Sequence, residues 1–170
     1  DAGGLMGPQP FWGPFWDQAI FSGGERDMLL AMRNQLYAAL TRYGTPVQTF
    51  SLIHADLHPS NVVIDGTRTV VIDFDDSGFG WHQYDFAAAL NAYQSHPDFA
   101  RFRNRFIAGY RSIRAISDED LGLLPMFLLI RDMAVLGWHH QRPEVQQTAE
   151  LSRLKERVCA TAADFEPPIG

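Results

Sequence analysis

Between Ser51 and Leu90 the chain carries His54, Asp56, His58, Asn61, Asp73, Asp75, Asp76 and Asp85, a density of carboxylates and imidazoles that packing alone seldom requires. Asp56 and Asn61 lie five positions apart across a loop containing Pro59, and Asp73 stands near the end of a returning β-branched run, where it can face them. One amide oxygen and two carboxylates brought together in this way meet the needs of phosphoryl transfer. That reaction takes a carboxylate to orient the attacking hydroxyl and hard oxygen donors to hold Mg²⁺ on the phosphates. The same residues admit metal-dependent hydrolysis, with His54-x-Asp56-x-His58 and Asp73 holding a transition metal that activates water. Asn61, at the interval a phosphoryl-transfer loop requires, favours the first reading. His58 is expected to donate to a nearby backbone carbonyl, because Mg²⁺ prefers oxygen. Asp75 and Asp76 read equally as extensions of the metal or substrate site and as solvated or helix-capping carboxylates.

The elements that must position these groups are legible in outline. Met28, Met32, Leu36, Leu40 and Tyr43 recur at helical spacing over Glu25 to Tyr43, with Ser22 as cap and Gly44 just past the end. Thr49 to Ile53, Asn61 to Ile64 and Thr69 to Phe74 are short β-branched or aromatic runs, and Asp65-Gly66 marks a hairpin turn. Phe79-Gly80-Trp81-His82 reads as a tight loop, with Gly78 and Gly80 supplying unusual backbone geometry and Trp81 as packing anchor or substrate platform. Helical patterns follow over Gln83 to Ser95, Asp98 to Arg114, Asp118 to His140 and Glu144 to Ala163. Ser117-x-x-Asp120 resembles a capping box, and Pro97 and Pro143 stand at helix starts. Trp138, His139 and His140 follow a core-like stripe and are assigned to packing ahead of a pocket. Residues 1–17, rich in Gly, Pro and aromatics, are poor material for a regular element and read as a lead-in, with residues 18–170 forming one lobe. The fold class is mainly α with a small β-hairpin, α+β.

Composition narrows the partners. A net charge of −6 and the lack of a basic run argue against nucleic acid or an anionic membrane surface. The apolar stretch Leu121 to Trp138 is interrupted by Pro125, Arg131 and Asp132, and no signal-peptide order opens the chain. Cys159 is the single cysteine, which excludes an internal disulfide and points to the cytoplasm.

His54-Ala55-Asp56-Leu57-His58-Pro59-Ser60-Asn61, followed by Ile72-Asp73-Phe74-Asp75-Asp76, resembles the catalytic loop and metal motif of the aminoglycoside phosphotransferase and choline kinase-like family. The resemblance runs from about Leu52 to Ala88. It implies the C-terminal lobe of a protein-kinase-like fold, ATP as phosphate donor, Mg²⁺ or Mn²⁺ as cofactor, and a small hydroxyl-bearing substrate or a protein Ser/Thr. Carried over, Asp56 becomes the catalytic base, and Asn61 and Asp73 bind the metal and through it the nucleotide. His54 braces the loop, and Asp85 in Tyr84-Asp85-Phe86-Ala87 holds it. Ala55 and Asp75 stand where protein kinases have Arg and Gly, which favours small-molecule kinases. No Gly-rich loop, strand lysine or partner glutamate helix precedes Glu25, so the resemblance implies a missing N-terminal lobe as partner and a fragment inactive by itself. A non-catalytic, stand-alone lobe that binds a ligand is the alternative.

Overall fold

In the computed structural model, which describes residues 1–142 and 149–168, the chain divides into two units: Asp1–Gly44 with Leu129–Gly170, and Thr45–Leu128.

The first unit is helical. Helix α2, Gly23–Tyr43, starts where the sequence says it should. Ser22 Oγ accepts from the Glu25 amide at 3.3 Å, and the Glu25 carboxylate accepts from the Ser22 amide at 2.7 Å, so two otherwise orphaned donors are satisfied. Gly44 ends it with φ of 69°, a left-handed conformation that favours glycine. Its buried face is Leu29, Met32, Leu36, Ala39 and Leu40, packed with α7, Ala149–Asp164, which buries Leu151, Leu154, Val158 and Ala162. Met28 and Tyr43, expected in that stripe, are only half-buried. Lys155 of α7 reaches Glu25 at 3.0 Å and the Ile20 carbonyl at 2.6 Å. Arg157 forms a two-pronged pair with Asp132, at 2.6 and 2.9 Å. Asp132 is buried and belongs to α6, Leu124–His140, so the pair joins two helices by a charge-assisted bond of the strong kind.

The lead-in is more ordered than its composition predicts. Ala2–Met6 forms a short helix, α1, because the Asp1 carboxylate accepts from the Gly4 amide at 2.8 Å. Leu5, Met6 and Phe15 are buried. At Gly137 a Cβ would meet the Trp12 and Gly13 carbonyl oxygens at 2.6 Å, so a glycine in α6 is what lets this segment lie against it.

The second unit carries two antiparallel ribbons. β1, Phe50–Ile53, pairs with β4, Gly78–Trp81, and β2, Val62–Asp65, pairs with β3, Arg68–Val71. The hairpin stands as expected, but its turn is Gly66-Thr67, one residue later than read from Asp65-Gly66. Gly66 alone takes a positive φ, 58°, the pattern of a turn with Gly at the first central position. β4 replaces the expected loop. Gly80 lies opposite Ser51, and its Cβ would sit 2.4 Å from Ile53 Cδ1. Neither Gly78 nor Gly80 has a positive φ, so Gly80 is there for space and not for backbone freedom. Trp81 is an anchor, buried against Phe50 and Phe127.

Helices α3, His82–Leu90, α4, Phe99–Arg111, and α5, Asp118–Gly122, complete this unit with the start of α6. The single helix expected over Asp118 to His140 is interrupted at Leu123, just before Pro125, which cannot donate to a continuing ladder. The Ser117 cap holds, accepting from the Asp120 amide at 3.0 Å. The start of the last expected helix, with Pro143, lies outside the described residues.

Two outcomes follow. Gly80→Ala should destabilise the chain by about 1–3 kcal/mol through overpacking in urea denaturation, and adding Ile53→Val should recover part of the loss. The Glu25 carboxyl is held down from its ordinary 4.5 to about 2, first by the Ser22 amide and then by Lys155. A depressed carboxylate stabilises fully above its unfolded value and loses that contribution as pH falls toward its folded one. Between pH 4.5 and about 2, Glu25→Gln should therefore lose stability less steeply than the parent; parallel urea midpoints would contradict the assignment.

Candidate active site

β1 feeds directly into the loop that begins at His54. The Asp85 carboxylate, in the first turn of α3, accepts from two consecutive amides, His54 N–H at 2.9 Å and Ala55 N–H at 2.8 Å. For both amides to face one carboxylate, Ala55 takes a φ of 66°. A non-glycine residue resists that region, and successive amides so arranged form an anion-gripping concavity.

His54 is buried, and its ring spans the site. The Asp56 amide points at Nδ1 at 3.3 Å, and Nε2 lies 2.9 Å from the Ile72 carbonyl. An N–H can only donate and a carbonyl can only accept, so Nδ1 is the bare nitrogen and Nε2 carries the proton. The ring also lies 4.7 Å from that of Phe74. Ile72 in turn donates its amide to the Asn61 carbonyl at 3.0 Å. The backbone just ahead of Asp73 is thus tied on one side to Asn61 and on the other to His54. Asp73 itself takes a φ of 64°.

Asp56 and Asn61 meet directly. The Asn61 amide group donates to the Asp56 main-chain carbonyl at 3.0 Å and approaches its carboxylate at 3.5 Å. That bond fixes the orientation of the amide, because a carbonyl acceptor demands the NH₂ end. Oδ1, the atom a hard cation takes, is turned the other way. His58 departs from expectation: its Nε2 lies 3.3 Å from Asp56 Oδ2, so it pairs with the candidate base and not with a backbone carbonyl. Asp73, Asp75 and Asp76 are exposed. Among the described residues no group of three or more His, Cys, Asp or Glu side chains is arranged to hold a metal. An oxygen site drawing on Asn61 does not require one.

Two features escaped the sequence reading. One is the Asp56–His58 pair. The other is a partly buried chain behind the loop, in which Ser51 Oγ lies 2.8 Å from His82 Nε2 and Tyr110 Oη lies 3.1 Å from His82 Nδ1. The signal for the second was a histidine at the first position of a helix next to a strand serine, which is legible only once β1 and β4 are paired. His82 is held below its ordinary imidazole value, mainly by burial and then by the Arg114 charge.

Residues 4–122 match the phosphotransferase enzyme family. The chain is 28% identical over 142 residues to an amicoumacin kinase of Bacillus subtilis (strain 168), covering 78% of this chain and 42% of that protein. It is 30% identical over 126 residues to a homoserine kinase of Chelativorans sp. (strain BNC1), covering 71% of this chain and 39% of that one. The structure of a microcompartment-associated aminopropanol kinase superposes with a TM-score of 0.77 at 30% identity, over 96% of this chain and 50% of that chain. Amicoumacin kinase hAmiN, in complex with AMP-PNP, Ca²⁺ and Ami, superposes with a TM-score of 0.71 at 25% identity, over 88% and 48%. The chain thus spans half or less of the length of these relatives. With a kinase-like α+β fold and the family's match running through the whole catalytic-loop segment, the chain belongs to the phosphotransferase enzyme family.

Proposed function

We propose that the chain supplies the catalytic-loop half of an ATP-dependent kinase that phosphorylates a hydroxyl of a small molecule. The observation that carries the reading is the Asp85-held loop, which sets Asp56 against Asn61 while His54 and the Asn61 carbonyl grip the backbone ahead of Asp73. In this reading Asp56 orients the acceptor hydroxyl and takes its proton, and the nearby His58 imidazole steadies the carboxylate. Asn61 Oδ1 and the Asp73 carboxylate are hard oxygen donors suited to Mg²⁺ or Mn²⁺. When bound, such a cation would supply positive charge to offset that of the nucleotide's phosphates. AMP-PNP and Ca²⁺ in the amicoumacin kinase complex support a nucleotide and a divalent cation. Aminopropanol and homoserine each carry both an amine and a hydroxyl, so the relatives' names favour an amino-alcohol acceptor.

The hydrolase reading loses its first ligand, because both His54 ring nitrogens are engaged with backbone groups. The remainder of a full-length kinase would close on the β2–β3 hairpin, where Val63, Ile64, Val70, Val71 and Ile72 are exposed; apolar surface of that extent suits a covering partner.

The test uses the complete gene product, assayed for ATP-dependent phosphorylation of a panel of amino alcohols and hydroxy amino acids. Asp56→Ala should lower turnover by several orders of magnitude, since positioning and charge stabilisation act as a unit. Asn61→Ala should raise the divalent-cation concentration needed for half-maximal rate. Turnover unaffected by Asp56→Ala would remove the base from the mechanism.

A further inference from the structure

Behind the catalytic loop lies a cavity of about 360 Å³, at the small end of the range for ligand pockets. Its walls come from β1, Leu57 of the catalytic loop, α3, α4 and the residues after α4. None of Asp56, Asn61 or Asp73 lines it. The apolar part is formed by Ile53, Leu57, Phe86 and Phe106, and the polar part by Ser51, His82, Tyr110 and Arg114, with Asp85 in the wall.

Two facts define what the polar end can hold. The first is proton counting in the Ser51–His82–Tyr110 chain. A neutral imidazole brings one N–H and each hydroxyl one O–H, so the three groups own three donor hydrogens. The chain has only two internal hydrogen bonds. Whichever tautomer His82 adopts, one hydrogen is left over. If Nε2 is protonated, the Ser51 hydroxyl proton is left; if Nδ1 is protonated, the Tyr110 proton is. Ser51 Oγ also reaches the Leu52 carbonyl, but only at a long 3.5 Å.

The second fact is charge. Both Asp85 oxygens are already engaged by the His54 and Ala55 amides. Arg114 has no carboxylate partner among the described residues, and its guanidinium's hydrogen bond to the Gln48 carbonyl is 3.5 Å long. Its charge is felt at both His82 and Tyr110. The polar end therefore offers a guanidinium and a spare hydroxyl proton over an apolar floor. With the Asp85 carboxylate already held by two amides, the charge left to meet a ligand is the single guanidinium of Arg114, which a monoanion matches and a dianion exceeds.

We propose that this cavity binds a small aliphatic monocarboxylate, with Arg114 and the one spare hydroxyl proton of the Ser51–His82–Tyr110 chain on the carboxylate and the hydrocarbon body between Leu57, Phe86 and Phe106. The ligand acts as an effector and not as the phosphate acceptor, because none of Asp56, Asn61 or Asp73 lines the cavity. Its route to the loop is short: β1 runs straight into His54, and α3 carries both His82 and Asp85. The proposal stands independently of phosphoryl transfer.

Butyrate titrated into the ¹⁵N-labelled chain should give saturable amide shifts centred on Ser51, His82, Tyr110 and Ile113. Butylammonium, the charge-reversed probe, should give none. Arg114→Gln should weaken butyrate by about tenfold or more, equivalent to 1.4 kcal/mol, while Arg114→Lys retains part of the binding. Arg114 is exposed, so its loss leaves the fold and the remaining spectrum in place. Absence of saturable shifts, equal binding of butylammonium, or full affinity in Arg114→Gln would each overturn the site. Inorganic phosphate binding more tightly than butyrate would overturn the monocarboxylate class.

Discussion

Everything around the loop depends on one carboxylate reaching two neighbouring amides. Asp85 meets His54 N–H and Ala55 N–H at 2.9 and 2.8 Å, and that pair of hydrogen bonds is available only if Ala55 accepts a left-handed backbone. The strain of such a residue is about 1–2 kcal/mol, and each hydrogen bond to a charged acceptor contributes about 1.5–3 kcal/mol. The grip therefore outweighs the strain. The loop leaves β1 at an angle an unstrained alanine would not give, and Asp56 follows from a fixed starting point.

From there the constraint spreads through hydrogen bonds whose direction is dictated by chemistry. The Asp56 amide forces His54 Nδ1 to be bare, which leaves Nε2–H to hold the Ile72 carbonyl. Asn61 uses its amide NH₂ on Asp56 and its main-chain carbonyl on Ile72. Asp73 then begins from a backbone tied on both sides. The second left-handed residue of the site, Asp73 at φ of 64°, sits where that tie ends. The anchor of the whole assembly is the β1–β4 ribbon, since β4 leads without a break into α3 and Trp81 seals the junction. One strand delivers the loop, and its partner delivers the helix that grips it.

Much of this was legible because local signals act over a few residues. The capping box at Ser22 and Glu25, the glycine that ends α2, and the β2–β3 hairpin each involve groups within one or two turns of chain. The crowding of Asp56, Asn61, Asp73 and Asp85 was equally open to view, because residue type and interval are properties of the sequence. β4 was read as a loop because Gly78 and Gly80 look like turn residues. The need for Gly80 arises from the Ile53 side chain on a distant strand, which no local pattern reports. The lead-in was read as irregular because Asp1 capping Gly4 is a small effect against a Gly- and Pro-rich composition.

By itself the sequence determined which atoms could do chemistry: two carboxylates and an amide at fixed intervals, a bracing histidine, and a further aspartate at a helix start. It also determined the helical body and the hairpin, through periodicity and capping that need no distant partner. Only the tertiary structure decided what those atoms face. It set His58 on the Asp56 carboxylate, chose the tautomer of His54, and joined Ser51, His82 and Tyr110 behind the loop. The physical reason is separation along the chain. The bond from His54 to Asp85 spans 31 residues, and a hydrogen bond over that distance exists only after the strands between have paired and fixed where each donor points.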